Sequence, residues 1–287
     1  MARIAIIGGG GMGEALLAGL LRAGRQVKDL VVAERLADRA DYLSNKYSVR
    51  MASVGAAVEN ADFVIVAVKP SDAESVVAVI AELAAQADSD TVEQVLISVC
   101  AGITTAFYEA RLPAGSPVIR VMPNAPALVG AGVSALAKGR FATDKHLAQA
   151  STLFESVGAV VTVPESQLDA VTAVSGSGPA YFYLFVEALV DAAVANGLQR
   201  AIATDLVAQT MAGSAAMLLE RIDDERTAGT DTGLDTTPAR LRAMVTSPAG
   251  TTAAGLRELE RGAVRAAVTA AVDAAKTRSE QLGITSE

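Results

Sequence analysis

Near its start the chain carries glycines at a spacing that binds phosphate. Gly8, Gly10 and Gly13 form G-x-G-x-x-G within RIAIIGGGGMGEALLAGLLRAG, behind a β-branched apolar run and ahead of apolar residues at helical spacing. The first glycine permits a tight turn, the second lets backbone approach a pyrophosphate, and the third lets helix pack on strand. Gly11 and Met12 then enter a helix whose first N–H groups and positive dipole end suit phosphate. No Lys-Ser or Lys-Thr follows the glycines, which disfavours a nucleoside-triphosphatase loop. Roughly 20 residues further on, after a second apolar run, stand Glu34 and Arg35. An acidic residue there accepts from ribose hydroxyls and favours NAD, whereas an arginine can hold a 2′-phosphate. The two signals conflict, and exposed charges at a helix start are the plainer alternative for both.

A second segment with chemical potential is SPAGTT at residues 247–252, directly before the helical AAGLRELE. Backbone N–H groups at such a helix start, assisted by the Ser247 hydroxyl, can bind a carboxylate. On spacing alone it also fits an ordinary Ser/Thr helix cap. Elsewhere the chain is poor in reactive groups. A single cysteine, Cys100, excludes an intrachain disulfide and a multi-cysteine metal site and fits a reducing, cytoplasmic compartment; at a strand end it reads as a small buried hydrophobe. The single histidine, His146, lies in TDKHLAQA and reads as a solvated residue at the start of an exposed helix. Imidazole acid–base chemistry and a His-ligated metal are therefore not expected, and no metal site is predicted.

With 24 Lys and Arg against 32 Asp and Glu, the 287 residues carry a formal charge of −8 with no dense basic cluster, which argues against nucleic-acid or anionic-membrane partners. The apolar stretch Ile4–Ile7 is too short for a signal-peptide core, and no uninterrupted apolar run reaches the roughly 18 residues of a membrane span. A soluble, intracellular protein is the expectation.

Around these segments, strand and helix signals alternate. RIAII, DLVVAE, ADFVIVAVKP, QVLISVCAG, SPVIRVMPN and VGAVVTVPE read as strands; EALLAGLLRAG, ADRADYLSNKY and SDAESVVAVIAELAAQ, the last capped by Ser71, read as helices. Short connections between them predict an α/β, Rossmann-like, doubly wound parallel sheet over residues 1–164. From 165 to 287 only Ala-rich helices are read, an all-α domain suited to dimerisation. The helix from Ser177, with Pro179 in its first turn and a stop at Gly197, is apolar round most of its circumference, which predicts burial against a second subunit. Glu187 and Asp191 break that surface and would meet arginines of the partner subunit. The polar, Gly- and Thr-rich stretch between Glu220 and Pro238 reads as a loop.

Read with AVKP (67–70), SVCAGIT (98–104), VIRVMPNAPALVGAG (118–132), VSGSGPAYF (174–182) and LRAMVTSPAGTTAAGLRELE (241–260), the chain resembles the pyrroline-5-carboxylate reductase family over essentially its whole length. The last motif is the most specific. The resemblance implies hydride reduction of the cyclic imine 1-pyrroline-5-carboxylate to L-proline with NADPH, NADH being possible. It implies an intertwined homodimer and, in many members, a decamer of five dimers. It also implies that residues 8–13, Val68, Lys69, Pro70 and Ala101 line the cofactor, with Lys69 a positioning group and Asn124 close to the nicotinamide. Ser247, Gly250, Thr251 and Thr252 would hold the substrate, with Thr252 the catalytic hydroxyl near the imine nitrogen. Two departures stand out: the stretch at 222–237 is longer than usual, and Ala249 stands where a second glycine is common. A β-hydroxyacid dehydrogenase of similar plan needs a lysine in the interdomain helix, and none occurs between Lys145 and Lys276. A non-catalytic nucleotide-sensing module, with TSPAGTT only a cap, is the other alternative.

Overall fold

The computed structural model describes residues 2–86, 94–228 and 236–284. Among the described residues there are eight strands: β1 (Ile4–Ile7), β2 (Leu30–Ala33), β3 (Arg50–Met51), β4 (Phe63–Val66), β5 (Val95–Ser98), β6 (Val118–Met122), β7 (Gly132–Lys138) and β8 (Gly158–Thr162). They lie in one sheet in the order β3-β2-β1-β4-β5-β6-β7-β8. Strands β1, β2, β4 and β5 are buried at every position, as expected where helices cover both faces. Their side chains alternate between two cores: Ile4, Ile6, Phe63 and Ile65 enter one, Ala5, Ile7, Val64 and Val66 the other. Helices α1 (Gly11–Arg22), α2 (Ala37–Tyr47), α3 (Val54–Val58), α4 (Ala73–Gln86), α5 (Thr105–Glu109) and α6 (Asp144–Phe154) connect the strands. The order reverses between β1 and β4, which makes the carboxyl ends of these strands the ligand-binding edge of such a sheet.

Several sequence expectations need correction. The sheet is not wholly parallel: β7, which periodicity did not reveal, runs antiparallel to β6. A 3-10 turn over Ala125–Val129 and a left-handed Gly130, φ 76°, send the chain straight back instead of through a crossover helix. His146 is buried at 6% exposure, not solvated. It closes a capping box with Thr143, whose N–H donates to His146 Nδ1 while Thr143 Oγ1 accepts from His146 N–H, each at 3.3 Å. Ser71 does not cap α4 but lies inside a 3-10 turn, Pro70–Asp72, that precedes it.

The later helices are α7 (Leu168–Val171), α8 (Gly178–Ala195), α9 (Arg200–Thr227), α10 (Thr237–Met244), α11 (Thr251–Arg261) and α12 (Val264–Ile284). Ser177 does not open α8: a π-helical turn over Thr172–Gly176 leads into it from α7. Gly197, φ 97°, ends it as expected. Helix α9 continues through residues 222–227, where a loop was expected; Arg221–Asp224 and Asp223–Arg226, each at i,i+3, suit that exposed helical surface. The rest of that stretch, 229–235, lies outside the described residues.

By compactness the chain divides into Met1–Pro179 with Val272–Glu287, and Ala180–Ala271. In the first unit the last turns of α12 join the sheet layer: Ser279 Oγ donates to Asp169 Oδ1 at 2.6 Å, and Gly283 lies against Gly102. In the second unit Val190 of α8 is buried, whereas Phe182, Tyr183 and Leu184 are each more than 60% exposed in the single chain. Asp191 meets Arg200 of its own chain at 2.8 Å, both side chains being exposed. Two helical stretches, Glu165–Ala195 and Arg200–Thr227, are long and apolar enough to cross a membrane. Scattered charges such as Glu187 and Asp191 conceal this in a search for uninterrupted apolar runs.

Candidate functional site

At the carboxyl end of β1 the glycines divide by function. Gly8, Gly9 and Gly13 are buried; Gly10 and Gly11 are exposed. A Cβ on Gly8, at φ +104°, would stand 2.6 Å from Ala67 O, and one on Gly13 would stand 1.9 Å from Gly8 O. These two positions therefore require glycine for turn and packing. A Cβ on Gly10 or Gly11 would meet no heavy atom within 4 Å, so these are the open positions where a ligand can come against the backbone. Gly10 caps α1 in extended conformation with no side-chain bond, and Glu14 N–H is the first to close onto it, at 2.9 Å from Gly10 O. The N–H groups of Gly11, Met12 and Gly13 thus stand ahead of the helical ladder, which fits a cofactor diphosphate.

Behind the loop lies an ionic cluster. Glu14 receives Arg39 at 2.5 Å, Tyr47 at 2.8 Å, Lys46 at 3.0 Å and Tyr42 at 3.2 Å. Burial opposes its ionisation, but hydrogen bonds from Lys46, Tyr47 and Arg39 prevail and hold its carboxyl at about 2. At the end of β2 the half-buried Glu34 turns back to the loop, accepting from Gly9 N–H at 2.8 Å, while Arg35 is exposed. Arg39 donates to Gly9 O at 2.7 Å. Sequence reading missed Arg39, whose signal was a cation four residues beyond the discriminating pair.

The strand-end residues gather along the same edge. A Cβ on Gly8 would come within 3.0 Å of Val68 N, and Val68 O accepts from Cys100 Sγ at 3.3 Å. Ala101 follows directly, and Lys69 and Pro70 are exposed beside Val68. Burial pushes the Cys100 thiol up, which disfavours the thiolate, and the side chain packs as a small buried group, as expected. At the end of β6, Asn124 uses both ends of its amide internally: Oδ1 accepts from Val133 N–H at 2.9 Å and Nδ2 donates to Ser175 O, in the π turn, at 3.2 Å. It is a clamp between the β6–β7 turn and that helix, a link that sequence did not disclose. Arg120, 5% exposed on β6, meets Glu165 at 3.3 Å, and Glu165 also accepts from Thr105 N–H at 2.7 Å and from its hydroxyl at 2.5 Å. The lock ties the first residues after β8 to the sheet.

In the second unit, Gly250 caps α11 in extended conformation with no side-chain bond. Its own N–H donates to Ser247 O at 3.1 Å, and Ala254 N–H is the first to close onto Gly250 O, also at 3.1 Å. The N–H groups of Thr251, Thr252 and Ala253 therefore precede the ladder, and Ser247, Thr251 and Thr252 are exposed. Ala249 sits at φ 59°, the left-handed region, which explains a glycine preference there.

The pyrroline-5-carboxylate reductase dimerisation family matches residues 165–282, and the coenzyme F420-dependent NADP oxidoreductase family matches residues 3–102. A pyrroline-5-carboxylate reductase of Mycobacterium tuberculosis is 68% identical over 291 aligned positions, covering 100% of this chain and 99% of that one. Among solved structures, a pyrroline-5-carboxylate reductase from Coxiella burnetii is 33% identical with a TM-score of 0.86, covering 98% of both chains. The Plasmodium falciparum pyrroline carboxylate reductase with NADP bound is 30% identical with a TM-score of 0.81, again covering 98% of both.

Proposed function

The chain belongs to the pyrroline-5-carboxylate reductase family and reduces 1-pyrroline-5-carboxylate to L-proline as an NAD(P)H-dependent oxidoreductase, and we propose that it does so by positioning, without an imidazole acid or base. The observation that carries this reading is a pair of helix starts with the same construction. Helices α1 and α11 are each capped by a glycine in extended conformation with no side-chain bond, so both leave backbone N–H groups for an anion. One suits the cofactor diphosphate and the other the substrate carboxylate.

The reduced nicotinamide, when bound, supplies the hydride. Residues 8–13 hold the diphosphate, Arg35 meets a 2′-phosphate and so favours NADPH over NADH, and Val68, Lys69, Pro70 and Ala101 wall the same edge. Asn124 keeps the β6–β7 turn in place near the nicotinamide. Ser247 and the N–H groups of Thr251 and Thr252 hold the carboxylate, with Gly250 shaping the turn. An imine accepts hydride more readily when protonated, and its nitrogen is basic enough to carry that proton beforehand. The Thr252 hydroxyl then needs only to bond that nitrogen, and orientation supplies most of the rate. His146 is occupied as a helix cap, which agrees with chemistry that does not use it.

The domain division proposed is 1–164 for the cofactor and 165–287 for substrate and dimerisation. Homo-oligomerisation gives the exposed apolar residues of α8 a partner surface, and a cytoplasmic dimer, or five dimers in a decamer, is the proposed form. The test is absorbance of NAD(P)H with and without pyrroline-5-carboxylate, alongside light scattering. Oxidation that depends on the imine, in a species at least twice 29.3 kDa, is expected. Oxidation without the imine, or a fully active monomer, would overturn the proposal.

A further inference from the structure

Gly9, an unspecified position of the glycine motif, is enclosed from the side of β2 and α2. Glu34 Oε2 accepts from its N–H at 2.8 Å, and Arg39 Nε donates to its carbonyl at 2.7 Å. The other Glu34 oxygen, Oε1, accepts from Leu36 N–H at 2.9 Å. A Cβ on Gly9 would lie 2.5 Å from Leu43 Cδ1 and 3.2 Å from Glu34 Oε2, so side chains already fill the space around this residue. Arg39 is itself held: its guanidinium bonds Glu14 at 2.5 Å and lies 4.9 Å from the centre of the Tyr42 ring.

We propose that Glu34 is a positioning residue for the phosphate loop and not an acceptor for the adenosine ribose, leaving Arg35 as the charge that discriminates between the two nicotinamide cofactors. The proposal rests on reading residues 8–13 as the cofactor cradle. An acidic residue at this place in the sheet ordinarily accepts from ribose hydroxyls and disfavours a 2′-phosphate. Here both carboxylate oxygens are engaged by backbone N–H groups, and turning outward would break charge-assisted bonds to Gly9 and Leu36. Glu34 and Arg39 grip the two sides of one residue, so together they set the direction in which Gly10 and the first N–H groups of α1 point. The conflict between the neighbouring Glu34 and Arg35 disappears, because only Arg35 remains exposed.

The test combines nucleotide binding with the dynamics of the nucleotide-free protein. NADPH and NADH are titrated by fluorescence, and 2′,5′-ADP and 5′-AMP by calorimetry, on Glu34→Ala, Glu34→Gln, Arg39→Met and Arg35→Ala; hydrogen exchange is followed over residues 8–13 without nucleotide. Glu34→Ala and Arg39→Met should each weaken NADPH and NADH by the same factor, roughly 10 to 100-fold, the range of one charge-assisted hydrogen bond. Both should raise exchange in the loop. Glu34→Gln keeps one of the two acceptor oxygens and should lose less affinity than Glu34→Ala, equally for both nucleotides; it carries the comparison if Glu34→Ala fails to fold. Arg35→Ala should weaken 2′,5′-ADP but not 5′-AMP, with exchange unchanged. Loss of NADH affinity with NADPH unchanged or tightened, and no change in loop exchange, would make Glu34 a ribose acceptor and overturn the proposal. Failure of the native protein to bind any of the four nucleotides would instead remove the cofactor reading on which it rests.

Discussion

Replacing Gly10 by Ala should separate folding from cofactor binding. Gly10 has φ −64° and ψ −169°, a conformation open to any residue, and a Cβ there meets no heavy atom within 4 Å. Folding stability should therefore hold or rise by up to about 1 kcal/mol, because alanine restricts the unfolded chain. The same methyl stands beside the free N–H groups of α1, where a diphosphate has to come into hydrogen-bond contact. Loss of even one bond to a charged phosphate costs about 1.5–3 kcal/mol, and two such losses raise Kd by at least roughly 100-fold. Gly13→Ala is the opposite control: its Cβ would lie 1.9 Å from Gly8 O, so α1 has to move and thermal stability should fall by several degrees. Thermal melting without nucleotide and fluorescence titration with NADPH distinguish the two variants. Gly10→Ala binding NADPH within about threefold of the native protein would refute the assignment of the loop. So would a melting temperature as low as that of Gly13→Ala.

Thr252→Val keeps the side-chain shape and removes the hydroxyl, and should lower kcat by roughly 10 to 1,000-fold, whereas native turnover with an intact circular dichroism spectrum would show that the hydroxyl is not used. Ser247→Ala should raise KM for the imine with little change in kcat, because its hydroxyl holds the carboxylate in ground and transition states alike; a pure kcat loss would contradict that role. Ala249→Val puts a β-branched residue at φ 59°, so unfolding should come a few degrees lower and KM should rise, while Ala249→Gly retains native values. Glu14, held at about 2 against an ordinary 4.5, stabilises the fold above its unfolded pKa and ceases to do so as pH falls through the folded one. Glu14→Gln should therefore be less stable by about 1–2 kcal/mol at pH 7, a figure reduced for the 28% and 47% exposure of Arg39 and Lys46. Urea titrations should show that gap closing between about pH 4.5 and pH 2; an undiminished gap at pH 2 would refute the role of the charge.

The candidate site was legible in sequence wherever function depends on the local backbone. Gly8 and Gly13 announce a turn and a close approach because no side chain fits there, and Gly250 with its following threonines announces a helix start because the N–H groups are fixed by position in the helix. Short, near-continuous apolar runs likewise disclosed six strands, since neighbouring positions on such a strand face two opposite cores and both must be apolar. Tertiary structure decided what those elements meet. The grip on Gly9 joins residues 25 and 30 positions apart, the Asn124 clamp spans 51, and the Ser279 bond to Asp169 spans 110. No periodicity of 2 or 3.6 carries such separations, because they depend on which strand lies beside which. The same holds for β7: VSALAK can pair in either direction, and the antiparallel choice was made by the tight turn at Ala125–Val129. Polarity misplaced His146 because its burial follows from the capping box and the packing of α6, not from the polar residues beside it in TDKHLAQA. Sequence alone thus located the glycine turn at residues 8–13 and the helix start at Gly250, while three-dimensional packing determined that Glu34 faces the loop instead of leaving it.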